Sequence, residues 1–324
     1  MRIEVLAMAV LICGCTSENR LGREAPSFSI SSPQVIDPPT QVDHLVQVTI
    51  PVVDALFIVD NSCSMEEEQT ALAANFPVFS SWFVGSGLDF HIGVISTDMR
   101  DPEHTGKLRD VNGVRWVTEG TEDPDGTFTT MAVMGTDGDG VEAGRAAGYT
   151  ALEVLADGHN EGFLRGGSGV HLTVVSDEND ASGSSPVTRS EWVDYLRNLR
   201  FSLSDVSFSS VVGPTTGCED AVQPGTDYTA VTGLVGGVVW PICTDDWSAA
   251  LGELGLLATG LSREFFLSRL PVADSIEVEV TTNGAVNTGA EWTYDPARNA
   301  ITFLSLLPDP LATVTIRYRV LSAL

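Results

Sequence analysis

Leu56-Phe57-Ile58-Val59-Asp60-Asn61-Ser62-Cys63-Ser64-Met65 is the stretch that decides how this chain folds. Four apolar residues make a buried strand, the strand stops on Asp60, and a helix-forming run begins at Glu66. An Asp-x-Ser-x-Ser turn at the carboxyl end of a buried strand gathers one carboxylate, Asp60, and two hydroxyls, Ser62 and Ser64, on one small loop. These are hard oxygen ligands, suited to Mg²⁺, Mn²⁺ or Ca²⁺ and not to zinc or copper. Open α/β sheets bind their ligands in the crevice at such strand ends. The competing account is helix capping, since Ser64 and Glu67 spell a Ser-x-x-Glu capping box. Capping explains Ser64 but neither Asp60 nor Ser62.

Downstream, strands and helices alternate. Glu66 to Phe76 has the spacing of an amphipathic helix, and Pro77 is expected to end it. Phe90–Ser96, Val170–Ser176 and Val206–Val212 read as buried strands, and Gly237–Trp240 as a short one. Leu108–Thr118 suits a short hairpin or edge strand, and Glu122–Gly126 has turn composition. Helices are expected at Val141–Leu155, Glu191–Leu199, Tyr228–Leu234 and Trp247–Leu261. This order predicts an α/β fold with a doubly wound, mostly parallel sheet covered on both faces. Three loops rich in Asp, Ser and Thr, at 60–64, 135–140 and 176–180, can then converge on one crevice.

These motifs resemble the von Willebrand factor A domain, and in particular bacterial lipoproteins that open the domain with Asp-x-Ser-x-Ser-Met. The resemblance covers roughly Val53 to Ser268. Phe57 to Met65 is similar to the first motif of the metal-ion-dependent adhesion site, Gly135-Thr136 to the second, and Val174-Val175-Ser176-Asp177 to the third. It implies a metal shell of Asp60, Ser62, Ser64, Thr136 and Asp177, the last binding through water. The second motif departs from the family pattern, because Asp139 lies as far ahead of the helix as the family's Thr often does. Thr136 and Asp139 therefore compete for that position, and Asp180 is an alternative or outer ligand. The resemblance further implies Mg²⁺ (or Ca²⁺ or Mn²⁺) with an open position filled by an acidic residue of a partner protein. Asp137-Gly138-Asp139-Gly140-Val141-Glu142 invites an EF-hand reading, which fails because position 1 would be Gly135 and position 12 Ala146.

Residues 1–14 join Arg2 to a short apolar run and read as a signal peptide too short to span a bilayer. Leu11-Ile12-Cys13-Gly14-Cys15 resembles a lipobox, which implies lipidation of Cys15 and a membrane anchor in the cell envelope, at the outer membrane or cell surface. Residues 15–44 read as a tether, broken by Pro26, Pro33, Pro38 and Pro39, and Val46–Ile50 as a strand. A net charge of −27 with only 17 basic residues argues against nucleic acid as a partner. Cys218 and Cys243 are a plausible disulfide in an oxidising compartment, leaving Cys63 as a free thiol packed under its loop. The five histidines lack metal-ligand spacing.

The pattern changes from Arg263 onward into short alternating strands between Asn-Gly, Asp-Pro and Pro-Asp-Pro turns. The domain limits are accordingly 45–268 for the α/β domain and 269–324 for a β-sandwich-like module. At about 55 residues that module is marginal alone, so it is expected to recruit the strand at 46–50 or one nearer Phe28. No Gly-x-Ser-x-Gly elbow, His-Glu-x-x-His or Walker loop occurs, so an envelope hydrolase is the weakest function class. The leading expectation is a non-enzymatic envelope lipoprotein that binds a protein ligand through its cation. A structural envelope scaffold with a degenerate site is the alternative.

Overall fold

Residues 38–48, 51–304 and 307–320 are described by a computed structural model. The signal segment, Cys15 and most of the tether lie outside the described residues, as do the last two residues of the strand expected at 46–50.

After β1 (Thr40–Val46), the chain runs β2 (Val52–Val59), α1 (Glu66–Ser80), β3 (Asp89–Ser96), α2 (Pro124–Ala132), α3 (Gly144–Tyr149), β4 (Gly169–Ser176) and α4 (Arg189–Asn198). It continues through β5 (Val206–Val212), α5 (Thr226–Val235), β6 (Val239–Pro241) and α6 (Trp247–Thr259). Strands β2 to β6 form one five-stranded parallel sheet in the order β3-β2-β4-β5-β6. The expected α/β class and doubly wound sheet are what the structure has.

Alternation along β2 explains why helices cover both faces. Val53, Ala55, Phe57 and Val59 point into a core with Leu72, Phe76 and Phe79 of α1, Phe128 and Met131 of α2, and Leu251 and Leu254 of α6. Leu56 and Ile58 point the other way, onto Ala147 of α3, Trp192 and Leu196 of α4, and Tyr228 and Val231 of α5. A strand buried on both sides has no polar alternate positions, and the run through Val59 has none after Asp54.

The C-terminal strands are β7 (Glu264–Phe266), β8 (Glu277–Thr282), β9 (Ala285–Asn287), β10 (Trp292–Asp295), β11 (Ala300–Phe303) and β12 (Thr313–Arg319). They make two antiparallel sheets, β1-β12-β8-β9 and β10-β11-β7. Phe265, Ile301 and Phe303 from one sheet share a core with Val278, Val280, Val314 and Ile316 from the other. The module does recruit a strand from upstream of the α/β domain. That strand is β1 at Thr40–Val46 rather than 46–50, so part of the segment read as tether is sheet. Asp43 of β1 turns inward, where it accepts hydrogen bonds from the backbone and hydroxyl of Ser268 (2.8 and 2.6 Å) and from Tyr318 (2.8 Å). Burial alone would raise the Asp43 carboxyl, but these donors and Gln41 hold it below its ordinary value. β7 pairs with β11, so the β module also reaches back before residue 269.

Four local expectations are corrected. Helix α1 does not stop at Pro77 but runs to Ser80, because Phe79 continues its buried stripe against Phe57 at a ring separation of 5.1 Å. Glu122–Gly126 is not a free turn: Asp123 caps α2 by accepting from the Gly126 amide (3.0 Å), and Pro124 sits at the first helical position. The helix expected over 141–155 is a six-residue α3 followed by a π-helical turn at Thr150–Val154. Leu108–Thr118 contributes only isolated bridges, Val111 to Val114 and Val117 to Ile92.

Cys218 and Cys243 form a disulfide that closes 25 residues between the loops after β5 and β6. Cys63 is free and exposed, not packed beneath its loop, since Ser62 takes the inward position beside it. Replacing Cys218 by serine is expected to cost about 3 kcal/mol from chain entropy, read as a lower urea midpoint that reductant reproduces in the wild type.

His171, on β4, offers a pH test away from the crevice. Its Nδ1 meets the Ser207 hydroxyl at 2.8 Å, and its buried Nε2 has no partner. Burial pushes its pKa down from 6.5 to about 4, so the folded state resists a proton that the unfolded state accepts. Stability from this group is present above pH 6.5 and drains away as pH falls towards 4. The stability difference between wild type and His171→Gln is expected to shrink by about 2–3 kcal/mol on going from neutral pH to pH ~4.5. An unchanged difference contradicts this.

Candidate metal centre

The chain order reverses between β2 and β4, which lie side by side although the chain visits β3 between them. That reversal is where a doubly wound sheet opens a crevice at the carboxyl ends of its strands. Val59 of β2 stands level with Ser96 of β3 and Val175 of β4. Asp60, Thr97 and Asp177 therefore emerge together from three adjacent strands.

Asp60 is fully buried. Its Oδ1 accepts from the Ser62 amide (2.8 Å), and its Oδ2 from the Ser176 hydroxyl (2.6 Å). The Ser62 and Ser64 hydroxyls lie 3.3 Å apart. Capping does not account for Ser64: the residue at the start of α1 is Met65, and no side chain caps that helix. Asp177 is also 0% exposed, and neither of its oxygens is in a well-formed hydrogen bond, the Ser64 hydroxyl standing nearby. Burial raises the Asp177 carboxyl, the nearby Ser64 hydroxyl offsets part of this, and the Asp60 charge adds to it. Asp60 is likewise raised by burial, against the pull of Ser176 and Ser62. Glu178 is raised by burial and by the charges of Asp60 and Asp177.

The second loop is tied on by a residue the sequence reading passed over. Gln69 of α1 donates to the carbonyls of Asp60 and Gly135, both at 2.9 Å, and accepts from the Met134 amide at 3.1 Å. Gly138 donates to the Asn61 carbonyl (3.0 Å), and a Cβ there would meet the Asn61 side chain at 2.5 Å, so only glycine lets the two loops touch.

Of the residues read from sequence, the structure brings Asp60, Ser62, Ser64 and Asp177 together. Asp139 lies on the same loop but is engaged elsewhere, with both oxygens on Arg100 (2.9 and 2.7 Å). Asp180 pairs with Arg145 (2.7 Å) and accepts from the Arg145 amide (3.1 Å) at the start of α3. Thr136 is partly exposed, and no side-chain hydrogen bond ties it to the crevice. The acid that does enter is Glu142. It is 0% exposed and within hydrogen-bonding reach of Asp60, and its Oε2 accepts from the Thr97 hydroxyl. Burial, then the Asp60 charge, pushes it up to about 9. A sequence signal for it existed: an acid between Val141 and Ala143, in the first turn of the helix expected over 141–155.

Among the described residues no three His, Cys, Asp or Glu side chains are arranged to hold a metal by themselves. Hydroxyls and water would complete any cation shell here. The donor set fits a hard cation in that mode, since oxygens of Asp177 and Glu142 are buried without a well-formed hydrogen bond while the available arginines serve Asp139 and Asp180.

No family model matches the chain, and no curated protein matches it. Among solved structures it is similar to a von Willebrand factor type A protein from Catenulispora acidiphila, with 9% identity and a TM-score of 0.41 over 90% of this chain and 68% of that one. It is also similar to the pilus adhesin SpaC from Lactobacillus rhamnosus GG in its open conformation, with 11% identity and a TM-score of 0.46 over 87% of this chain and 41% of that one. A third is proximal thread matrix protein 1 of the mussel byssus, with 13% identity and a TM-score of 0.43 over 69% of this chain and 51% of that one. The chain thus spans about half or less of the last two, and the reading of its site rests on its own geometry.

Proposed function

We propose that this chain is an envelope-anchored, non-enzymatic binding protein whose crevice holds one divalent cation, Mg²⁺ or alternatively Ca²⁺ or Mn²⁺. Asp60, Ser62 and Ser64 provide the primary cradle, Asp177 acts through water, and the cation's open position receives an acidic residue of a partner protein. One observation carries this: Asp177 lies buried with neither oxygen in a well-formed hydrogen bond, beside Asp60 and the paired hydroxyls of Ser62 and Ser64, at the sheet's switch point. Uncompensated buried carboxylates are costly, and a cation offsets that cost. The disulfide supports an oxidising compartment, and the lipobox-like sequence supports lipidation at Cys15.

Immobilised chain is expected to retain an envelope protein in millimolar Mg²⁺ and release it with chelator, and Asp60→Ala is expected to retain none. Retention indifferent to chelator and to Asp60→Ala would instead favour the scaffold reading. Cys15→Ser is expected to abolish metabolic lipid labelling, and persistent labelling would rule out that anchor.

A further inference from the structure

We infer that Glu142, and neither Thr136 nor Asp139, is the ligand the second loop gives to this cation. The inference rests on the cation reading above and names a residue that reading left open.

Three observations converge on Glu142. Its side chain is completely buried, and its Oε1 accepts no hydrogen bond. Such a group is costly to leave unpaired, and few buried polar groups are. Its position is fixed rather than incidental: Thr97 of the β3 loop holds Oε2, and the neighbouring backbone is pinned on both sides. The Ala143 amide donates to the Thr97 carbonyl (3.1 Å), and the Ala181 amide donates to the Glu142 carbonyl (2.6 Å). Its carboxyl lies against Asp60, the residue at the centre of the proposed cradle.

The two competitors are placed differently. Asp139 spends both oxygens on Arg100 at the partly exposed rim. Thr136 is partly exposed, and its side chain makes no hydrogen bond into the crevice. Two charged ligands, Asp60 and Glu142, with the Ser62 and Ser64 hydroxyls and water around them, suit a hard cation. They also neutralise it before any partner arrives, which weakens its pull on an incoming carboxylate. Partner capture would then need shape and polar contacts around the cation as well as its charge.

Mn²⁺ binding to the full chain, followed by the loss of the free-ion electron paramagnetic resonance signal, tests this without reference to activity. Glu142→Gln is expected to weaken Mn²⁺ affinity about a hundredfold, while Thr136→Ala and Asp139→Ala stay within threefold of wild type. Thr97→Val keeps the charge but removes the hydroxyl that orients it, and is expected to weaken affinity about tenfold. It supplies the reading should Glu142→Gln not fold. Wild-type affinity in both Glu142→Gln and Thr97→Val, or a large loss in Thr136→Ala or Asp139→Ala alone, overturns the assignment. Wild-type protein that binds no Mn²⁺ overturns the cation reading itself, a distinguishable result.

Discussion

Arg165→Ala is expected to destabilise the protein by about 3–5 kcal/mol, because it takes the paired guanidinium away from a buried carboxylate. Asp54, in β2 at the end of the sheet away from the crevice, is fully buried. Arg165 serves it with its backbone amide and Nε, both at 2.7 Å, and Ser168 adds a hydroxyl at 2.5 Å. The same guanidinium reaches Asp89 (2.5 Å) and the Val53 carbonyl (2.8 Å), so one side chain staples β2 to β3 where both begin. Arg200 then holds the Arg165 carbonyl (2.7 Å) and the Ser168 hydroxyl (2.9 Å) from the segment after α4. Removing the Arg165 side chain leaves the buried Asp54 carboxylate only the residue-165 amide and the Ser168 hydroxyl, whereas removing both charges is far less costly. Asp54→Asn combined with Arg165→Met should therefore recover much of the loss in urea unfolding. A cost below about 1 kcal/mol for Arg165→Ala would show that Asp54 does not depend on its partner.

The second large effect belongs to the crevice. A cation that binds only the folded state adds RT ln(1 + [L]/Kd), about 4 kcal/mol at a thousandfold excess over Kd. Asp60→Ala is expected to remove that increment entirely. In chelator-stripped protein the same variant should be no less stable than wild type, since it takes away the charge that raises the carboxyls of Glu142, Asp177 and Glu178. Asp177→Ala should retain part of the increment if that carboxylate acts through water. A stripped Asp60→Ala protein that still gains wild-type stability from Mg²⁺ would place the cation elsewhere.

Much of this arrangement was legible because it follows from one strand. The apolar run before Asp60 can only be a strand buried on both faces, and such strands belong to parallel sheets with ligand loops at their carboxyl ends. The alternation of the C-terminal strands gave the β module in the same way. What failed to show in the sequence was set by contacts distant along the chain. Pro77 lies inside α1 because Phe79 finds Phe57, and β1 falls at 40–46 because its partner β12 is some 270 residues away. Within the second loop, spacing favoured Thr136 and Asp139, but Arg100 engages Asp139 and the pairing of Asn61 with Gly138 sets the loop's path. Glu142 then arrives beside Asp60. An acid flanked by Val141 and Ala143 was the visible sign, and only the fold says what it faces. Gln69 carries no such sign, since a glutamine on a helix is ordinarily at the surface.

Titration calorimetry of the chelator-stripped full chain with Mg²⁺, Mn²⁺ and Ca²⁺ reads the crevice's cation directly. One bound cation per chain is expected for at least one of these ions, and no binding at that site in Asp60→Ala. Absence of binding by all three at millimolar concentration, or undiminished binding in Asp60→Ala, would contradict the proposed site.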